Sequence, residues 1–279
     1  MTTTICKIDW LRWTCPAWVA LSDAVPMRRA FLVEDYEIRP LPNYTAAIKL
    51  KCGRVDKNTR DETTGQMVTL SGRDLDNARV LGVTDTDLLA HIVKLKAHTT
   101  RIDLAIDIRD EEINISGVYA AGKKGKIQTN AKKLTRWSSV NAQGREGVTV
   151  QIGSRASEQV LRVYDKSAEQ NESGEWVRIE LEIKGDAADR AVATLHTSTD
   201  HASTIKSAIA TYAMVPRAWY KRAVSHETPT DWPPISRKDT EWETWVYKTA
   251  LPNIEKALRR DTPNVRKTIE KILSDIDKS

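Results

Sequence analysis

Apolar and polar residues alternate most regularly over 100–108 (TRIDLAIDI). Ile102, Leu104, Ile106 and Ile108 fall on one side, and Arg101, Asp103, Ala105 and Asp107 on the other. A period of two marks a half-buried strand. Comparable runs at 4–14 (TICKIDWLRWT), 45–52 (TAAIKLKC), 66–71 (QMVTLS), 147–153 (GVTVQIG), 159–165 (QVLRVYD) and 176–184 (WVRIELEIK) predict further strands. The last three lie close together, and the Ser-, Gly-, Asn- and Glu-rich gaps between them suit hairpin loops. Gly72 breaks the pattern after the 66–71 strand. Thr84 or Asp85 can cap a helix over 86–97, with Leu88, Leu89, Ile92, Val93 and Leu95 as its apolar face. A short helix is expected near 112–121, followed by a basic, Gly-containing loop.

After Gly185 the periodicity becomes helical, over 186–196 and 203–222, the second interrupted at Pro216. Pro229, Pro233 and Pro234 mark 226–236 as a linker. Beyond it, Asp239 can cap a helix carrying Trp242, Trp245 and Val246. Thr262 and Pro263 open a last helix. Its stripe of Val265, Ile269, Ile272 and Ile276 suits docking on the body of the protein or contact with a second copy, which leaves a homodimer open. The predicted class is α+β, an antiparallel-rich central sheet with helices and a helical C-terminal part. The expected division is residues 1–200 and 201–279.

Composition narrows the class. With 40% hydrophobic and 29% charged residues in 279, the chain reads as a globular protein able to bury a core without staples. No apolar run is long enough for a membrane span, and the start shows no basic and apolar signal pattern. Cys6, Cys15 and Cys52 form no CxxC pair, which fits a reducing cytoplasm. The net charge of +5 is mild, but its distribution is not. Between 121 and 166, ten basic residues face three acidic ones. They include Lys123, Lys124, Lys126, Lys132, Lys133, Arg136, Arg155 and Arg162, with Trp137 among them. Arg217, Lys221 and Arg222 form a second cluster with Trp219 and Tyr220. Cations interleaved with aromatics point to nucleic acid, which the cations neutralise and the rings stack upon.

The polar sides of three strands carry the chemistry. Strand 100–108 presents Asp103 and Asp107, strand 159–166 presents Arg162, Tyr164 and Lys166, and strand 176–184 presents Arg178, Glu180 and Glu182. If these strands share a sheet, four carboxylates, three cations and a phenol meet on one surface. Carboxylates suit a hard cation such as Mg²⁺ or Mn²⁺, which polarises a phosphoryl oxygen. Arginine and lysine can hold the remaining phosphate oxygens, and a tyrosine oxygen can attack phosphorus. A solvated face of weak cross-strand ion pairs is the bland alternative. No GxxxxGK[ST], GxGxxG, HxH or HExxH is present, so a helicase would be a separate host protein.

In these stretches the chain resembles the Rep_trans replication initiation factors of rolling-circle plasmids and some phages. The matching segments are KIDWLRW, VTLSGRDLDNARVLG, TRIDLAIDIRD, VTVQIGSRASEQVLRVYDK and WVRIELEIKG, in the family's order and spacing, covering residues 5–200. The resemblance implies a sheet distantly similar to that of the HUH endonucleases, with carboxylates in place of the histidine pair. It implies nicking and religation of origin DNA in a bacterial cytoplasm, through a tyrosine linked to the 5′-phosphate. By this reading Tyr164 is the nucleophile, Asp103, Glu180 and Glu182 bind the metal with Asp107 beside them, and Lys166 and Arg178 steady the scissile phosphate. Tyr119, Tyr212 and Tyr220 are rival nucleophiles. Two other functions remain open at this point. One is a PD-(D/E)xK-like nuclease using water, from Glu182-Ile183-Lys184. The other is an origin-binding regulator without catalysis.

Overall fold

The computed structural model describes residues 3–16, 19, 36–60, 64–110, 112–140 and 144–214. The first strands are β1 (Thr3–Cys15), β2 (Tyr36–Ile38), β3 (Ala46–Lys49), β4 (Arg54–Lys57) and β5 (Gln66–Leu70). Helices α1 (Gly72–Val80) and α2 (Asp85–Lys94) lead to β6 (His98–Arg109) and α3 (Ile115–Lys123). Next come β7 (Gln128–Thr129), β8 (Leu134–Val140), β9 (Glu146–Ile152), β10 (Gln159–Asp165), the short α4 (Lys166–Gln170) and β11 (Trp176–Lys184). Helices α5 (Asp186–Thr197) and α6 (His201–Tyr212) precede β12 (Ala213–Met214).

Ten strands form one sheet in the order β2-β3-β4-β5-β1-β6-β11-β10-β9-β8, antiparallel at every pairing. This is the expected α+β, antiparallel-rich class. The apolar side of the central strands is the core: Ile102, Leu104, Ile106 and Ile108 of β6 lie beside Val177, Ile179, Leu181 and Ile183 of β11, all buried. Helix α5 packs on β6 and β11, α6 on β1, β6 and β11, and α3 on β8, β9 and β10. Helices α3, α5 and α6 thus cover one face of the sheet and leave the polar sides of β6, β11 and β10 on the other, beside α1 and α4.

Several boundaries differ from the sequence reading, each for a local reason. Gly72 starts a helix instead of ending order. Ser71 and Asp74 form a capping box, the Ser71 side chain accepting from the Asp74 N–H and the Asp74 side chain from the Ser71 N–H. A Cβ on Gly72 would come within 2.7 Å of Asp9 Oδ1, so the residue is small because β1 passes close to the helix start. Helix α2 has Thr84 as its cap, as expected, but Val93 is exposed and only Leu88, Leu89 and Ile92 are buried. Strand β4 falls where no element is predicted, and β8 lies in the expected basic loop, its basic and serine residues hiding the alternation. Lys166 does not continue β10; it opens α4, capped by Asp165, whose side chain accepts from the Ala168 N–H.

The helix expected over 203–222 ends at Tyr212, after which Ala213 and Met214 pair with β7. By internal contacts the chain divides into units 1–232 and 233–279, and α6 belongs with the sheet. The linker at 226–236, the helices beyond it, and Arg217, Trp219, Tyr220, Lys221 and Arg222 lie outside the described residues. Cys6, Cys15 and Cys52 are free thiols. No helix of the described residues is long and apolar enough to cross a membrane.

The last turn of α6 is tied to the sheet through one phenol. The buried Tyr212 hydroxyl lies 2.9 Å from the Gln159 carbonyl and 3.2 Å from the Ile152 carbonyl, at the two ends of the β9–β10 connection. Gly153, at φ +103°, leaves room there, since a Cβ would collide with that hydroxyl. Tyr212→Phe leaves buried carbonyls short of a donor, and a loss of about 1–3 kcal/mol in denaturant unfolding is expected. An unchanged midpoint would show that the phenol contributes nothing there.

Candidate active site

Antiparallel register sets the site out in rows. Asp107 of β6 pairs with Arg178 of β11, Arg178 with Tyr164 of β10, Tyr164 with Thr149 of β9, and Thr149 with Trp137 of β8. One row along, Glu180 pairs with Arg162, Arg162 with Gln151 and Gln151 with Thr135. Asp103 pairs with Glu182. Directly opposed residues point to the same side, so the expected side chains share the open face. That face forms the floor of a groove of about 990 Å³.

Three carboxylates converge within this face, and a guanidinium occupies the point of convergence. Arg162 Nη2 is 2.7 Å from Glu180 Oε1, 2.8 Å from Glu182 Oε2 and 3.9 Å from Asp103 Oδ2. Arg101 grips Asp103 with both its Nε (2.8 Å) and Nη2 (2.5 Å), and reaches Glu182 at 3.0 Å. Lys184 holds the other Glu182 oxygen at 2.9 Å. Three negative charges are thus matched by three positive ones, as buried ions require. Burial pushes Asp103 up to about 6 despite the Arg101 fork. Burial also raises Glu182, but Lys184, Arg101 and Arg162 outweigh it and hold that carboxyl below its usual range.

Tyr164 adjoins this cluster. Its hydroxyl donates to the free oxygen of Glu180 at 2.7 Å, and Lys166 Nζ lies 5.6 Å from its ring centre. Burial, with the Glu180 charge next, raises the phenol far above its ordinary pKa. Arg178 is clamped from behind: Asp107 takes its Nε and Nη2 at 2.6 and 2.7 Å, and Asp9 takes its Nη1 at 2.6 Å. Asp107 also accepts from Trp176 Nε1 at 2.9 Å, and these donors hold its carboxyl below the usual range against the burial that opposes them. Asp107 therefore stands apart from the other three carboxylates, as the partner of an arginine. Lys166 pairs with Glu169 on α4.

Sequence reasoning overlooked Asp9, Trp10 and Arg101 as site residues. A bulge between Ile8 and Trp10 shifts the alternation of β1, so Trp10 opposes Asp103 on the polar face while Ile8 and Leu11 stay in the core. Asp9, the extra residue, then reaches Arg178. The Trp10 ring carries Arg101 at 4.7 Å and Arg12 at 5.5 Å. Arg101 was legible, two residues before Asp103 on the same strand face.

The basic segment of 121–166 is divided by the sheet. Trp137, Lys133, Arg155 and Arg162 lie toward the open face. Arg136 pairs with core-facing Val150 and its Nη2 reaches Ser116 of α3 at 3.3 Å, on the helix-covered side. Lys123, Lys124 and Lys126 are exposed at the C-terminal end of α3, and Lys132 is exposed before β8. Tyr212 is bonded to backbone away from the groove, and Tyr119 packs against the core.

A divalent cation has suitable donors in Asp103, Glu180 and Glu182, all hard oxygens on adjacent strands. Among the described residues, no group of three His, Cys, Asp or Glu side chains is arranged to hold a metal ion, and Arg162 lies among these three carboxylates. A cation bound to these oxygens would compete with the Arg162 ion pairs. The raised Asp103 also has a consequence for stability without metal. Its folded pKa exceeds the unfolded one, so its contribution is full below about pH 4 and is lost as pH rises to about 6. Relative to Asp103→Asn, the wild type should lose about 2 kcal/mol between pH 4.5 and 7 in metal-free urea unfolding. A difference that does not change with pH would contradict the shift.

Comparison with known proteins agrees with this architecture. The fold is similar to that of a rolling-circle replication initiator protein from Geobacillus stearothermophilus, with a TM-score of 0.65 and 17% identity over 83% of this chain and 92% of that one. The chain is 31% identical over 111 residues to the protein named "Putative DNA relaxase NicK" of Bacillus subtilis (strain 168). That match takes in 36% of this chain and 32% of the relative's length. Residues 97–278 match the family described as Replication initiation factor, a span that begins at β6 and runs past the motifs noted in the sequence. It holds Asp103, Tyr164, Glu180 and Glu182, and the chain belongs to the Rep_trans family of replication initiation factors.

Proposed function

We propose that this protein starts rolling-circle replication by nicking one strand of origin DNA and later rejoining it, with Tyr164 as the nucleophile. The observation that carries the reading is the Tyr164–Glu180 hydrogen bond of 2.7 Å on the floor of a groove lined by both cations and carboxylates. The raised phenol is almost wholly protonated near neutral pH, so it needs a base in the same step, and Glu180 already accepts its proton. Tyr164 Oη attacks phosphorus, its proton passes to Glu180, and the bond from phosphorus to the 3′-oxygen breaks. The 3′-oxygen takes up a proton and becomes a free hydroxyl, while the 5′-phosphate stays on Tyr164. Rejoining is the reverse.

The other residues fall into supporting roles. Arg178, fixed by Asp9 and Asp107, and Lys166 face the scissile phosphate and stabilise charge on its oxygens. Asp103, Glu180 and Glu182 would hold Mg²⁺ or Mn²⁺, which polarises the phosphoryl oxygen when bound. Arg162, paired with Glu180 and Glu182 in the structure, would then be available to the DNA backbone. Origin DNA, duplex and single-stranded, is the partner, and strand separation falls to a host helicase since no nucleotide-binding motif is present. The names of the relatives, a rolling-circle initiator and a DNA relaxase, support this reading. The nuclease alternative is disfavoured because Lys184 is engaged with Glu182 and with the Arg155 carbonyl at 2.7 Å.

The test is a covalent-adduct assay with Mn²⁺ and a labelled origin strand, resolved under denaturing conditions. Wild type should yield a protein–DNA adduct mapping to Tyr164. Tyr164→Phe should yield none, and Glu180→Gln should slow adduct formation about 100-fold. An adduct formed by Tyr164→Phe at the wild-type rate would refute the assignment.

A further inference from the structure

A second pocket of about 460 Å³ adjoins the groove, lined by Lys133, Thr135, Trp137, Gln151, Ser154 and Arg155. Trp137 lines both cavities and forms their common wall. Its ring is among the more exposed large apolar side chains, although it lies in line with Tyr164 across the sheet.

Gln151 is the informative residue. It is 4% exposed, and its Nε2 donates to the Gly153 carbonyl at 2.9 Å. A carbonyl can only accept, so the amide nitrogen must face Gly153. Its Oε1 is then left buried with no hydrogen-bond partner. An unmet buried acceptor is costly, on the order of 1–3 kcal/mol, and such groups are rare without a reason. The pocket therefore offers a stacking ring, a buried acceptor and a basic rim, with no acidic residue in its lining.

We propose that this pocket takes one unpaired base of single-stranded DNA, next to the scissile phosphate. The base stacks on Trp137 and gives an N–H to Gln151 Oε1, while Lys133 and Arg155 meet its acceptor edge or the adjoining phosphate. The acceptor favours bases with an exocyclic amine, namely adenine, cytosine and guanine. Thymine has none, and its one ring N–H is flanked by two carbonyls that would face the glutamine oxygen. The pocket thus sets sequence preference beside the nick. This deepens the nicking proposal and rests on it for the location of the strand.

The test separates the two. Tyr164→Phe protein without metal cannot cleave, so binding is read alone, by fluorescence anisotropy on short labelled strands of oligo-dC, oligo-dT and an abasic backbone of equal length. Oligo-dC should bind about 10-fold more tightly than the abasic strand, with oligo-dT between them. Adding Trp137→Ala, a change on an exposed edge strand that leaves the core intact, should reduce that ratio to about twofold or less. Adding Gln151→Met should remove the preference for dC over dT while keeping discrimination against the abasic strand. Full discrimination in Trp137→Ala, or equal binding of all three strands by the parent, would overturn the pocket. A missing adduct in the nicking assay would overturn the catalytic reading and leave this result standing.

Discussion

The site depends on the register of β6, β11, β10 and β9. A slip of one residue at any of these pairings would turn the carboxylates into the core and the isoleucines into the groove. The buried row of Ile102, Leu104, Ile106 and Ile108 against Val177, Ile179, Leu181 and Ile183 prevents it. Burying one apolar face of a strand thus fixes the chemistry on the other. Asp103, Glu182, Glu180, Arg162 and Tyr164 occupy neighbouring sites because their strands cannot pair otherwise without losing the core.

Placing so many charges together requires compensation, and the protein supplies it in two separate groups. Asp103, Glu180 and Glu182 are matched by Arg101, Arg162 and Lys184. Asp9 and Asp107 are matched by Arg178. Removing one partner from such a buried cluster typically costs about 3–5 kcal/mol, because an uncompensated ion is left behind. The two groups meet at Tyr164, which hydrogen-bonds to Glu180 and pairs across the strands with Arg178.

Much of this was legible in the sequence because strand alternation is a local property. The polar faces of β6, β10 and β11 follow directly from counting by twos, and so does their meeting if the strands are neighbours. What escaped was whatever breaks the count. The bulge at Asp9 moves Trp10 to the polar face, and no local pattern announces it. The basic segment read as one surface because charge was summed along the chain, whereas α3 and β8 send it to both faces. Helix α1 was missed because Gly72 was read as a break, when Ser71 and Asp74 around it form the cap. Four of the nine tryptophans fall among the described residues, each with its own role: Trp13 fills the core, Trp176 binds Asp107, Trp10 receives two arginines and Trp137 walls the groove.

Arg162 has a consequence for the order of events in the protein's life. Many metalloproteins cannot fold until their ion arrives, because the ligands repel one another without it. Here Arg162 itself places a positive charge among the three carboxylates. If the proposed metal does bind here, folding would not have to wait for it, because the carboxylates are already compensated. On the proposed chemistry, activation is then an exchange of one cation for another at a finished site, and the displaced arginine is delivered to the strand about to be cut.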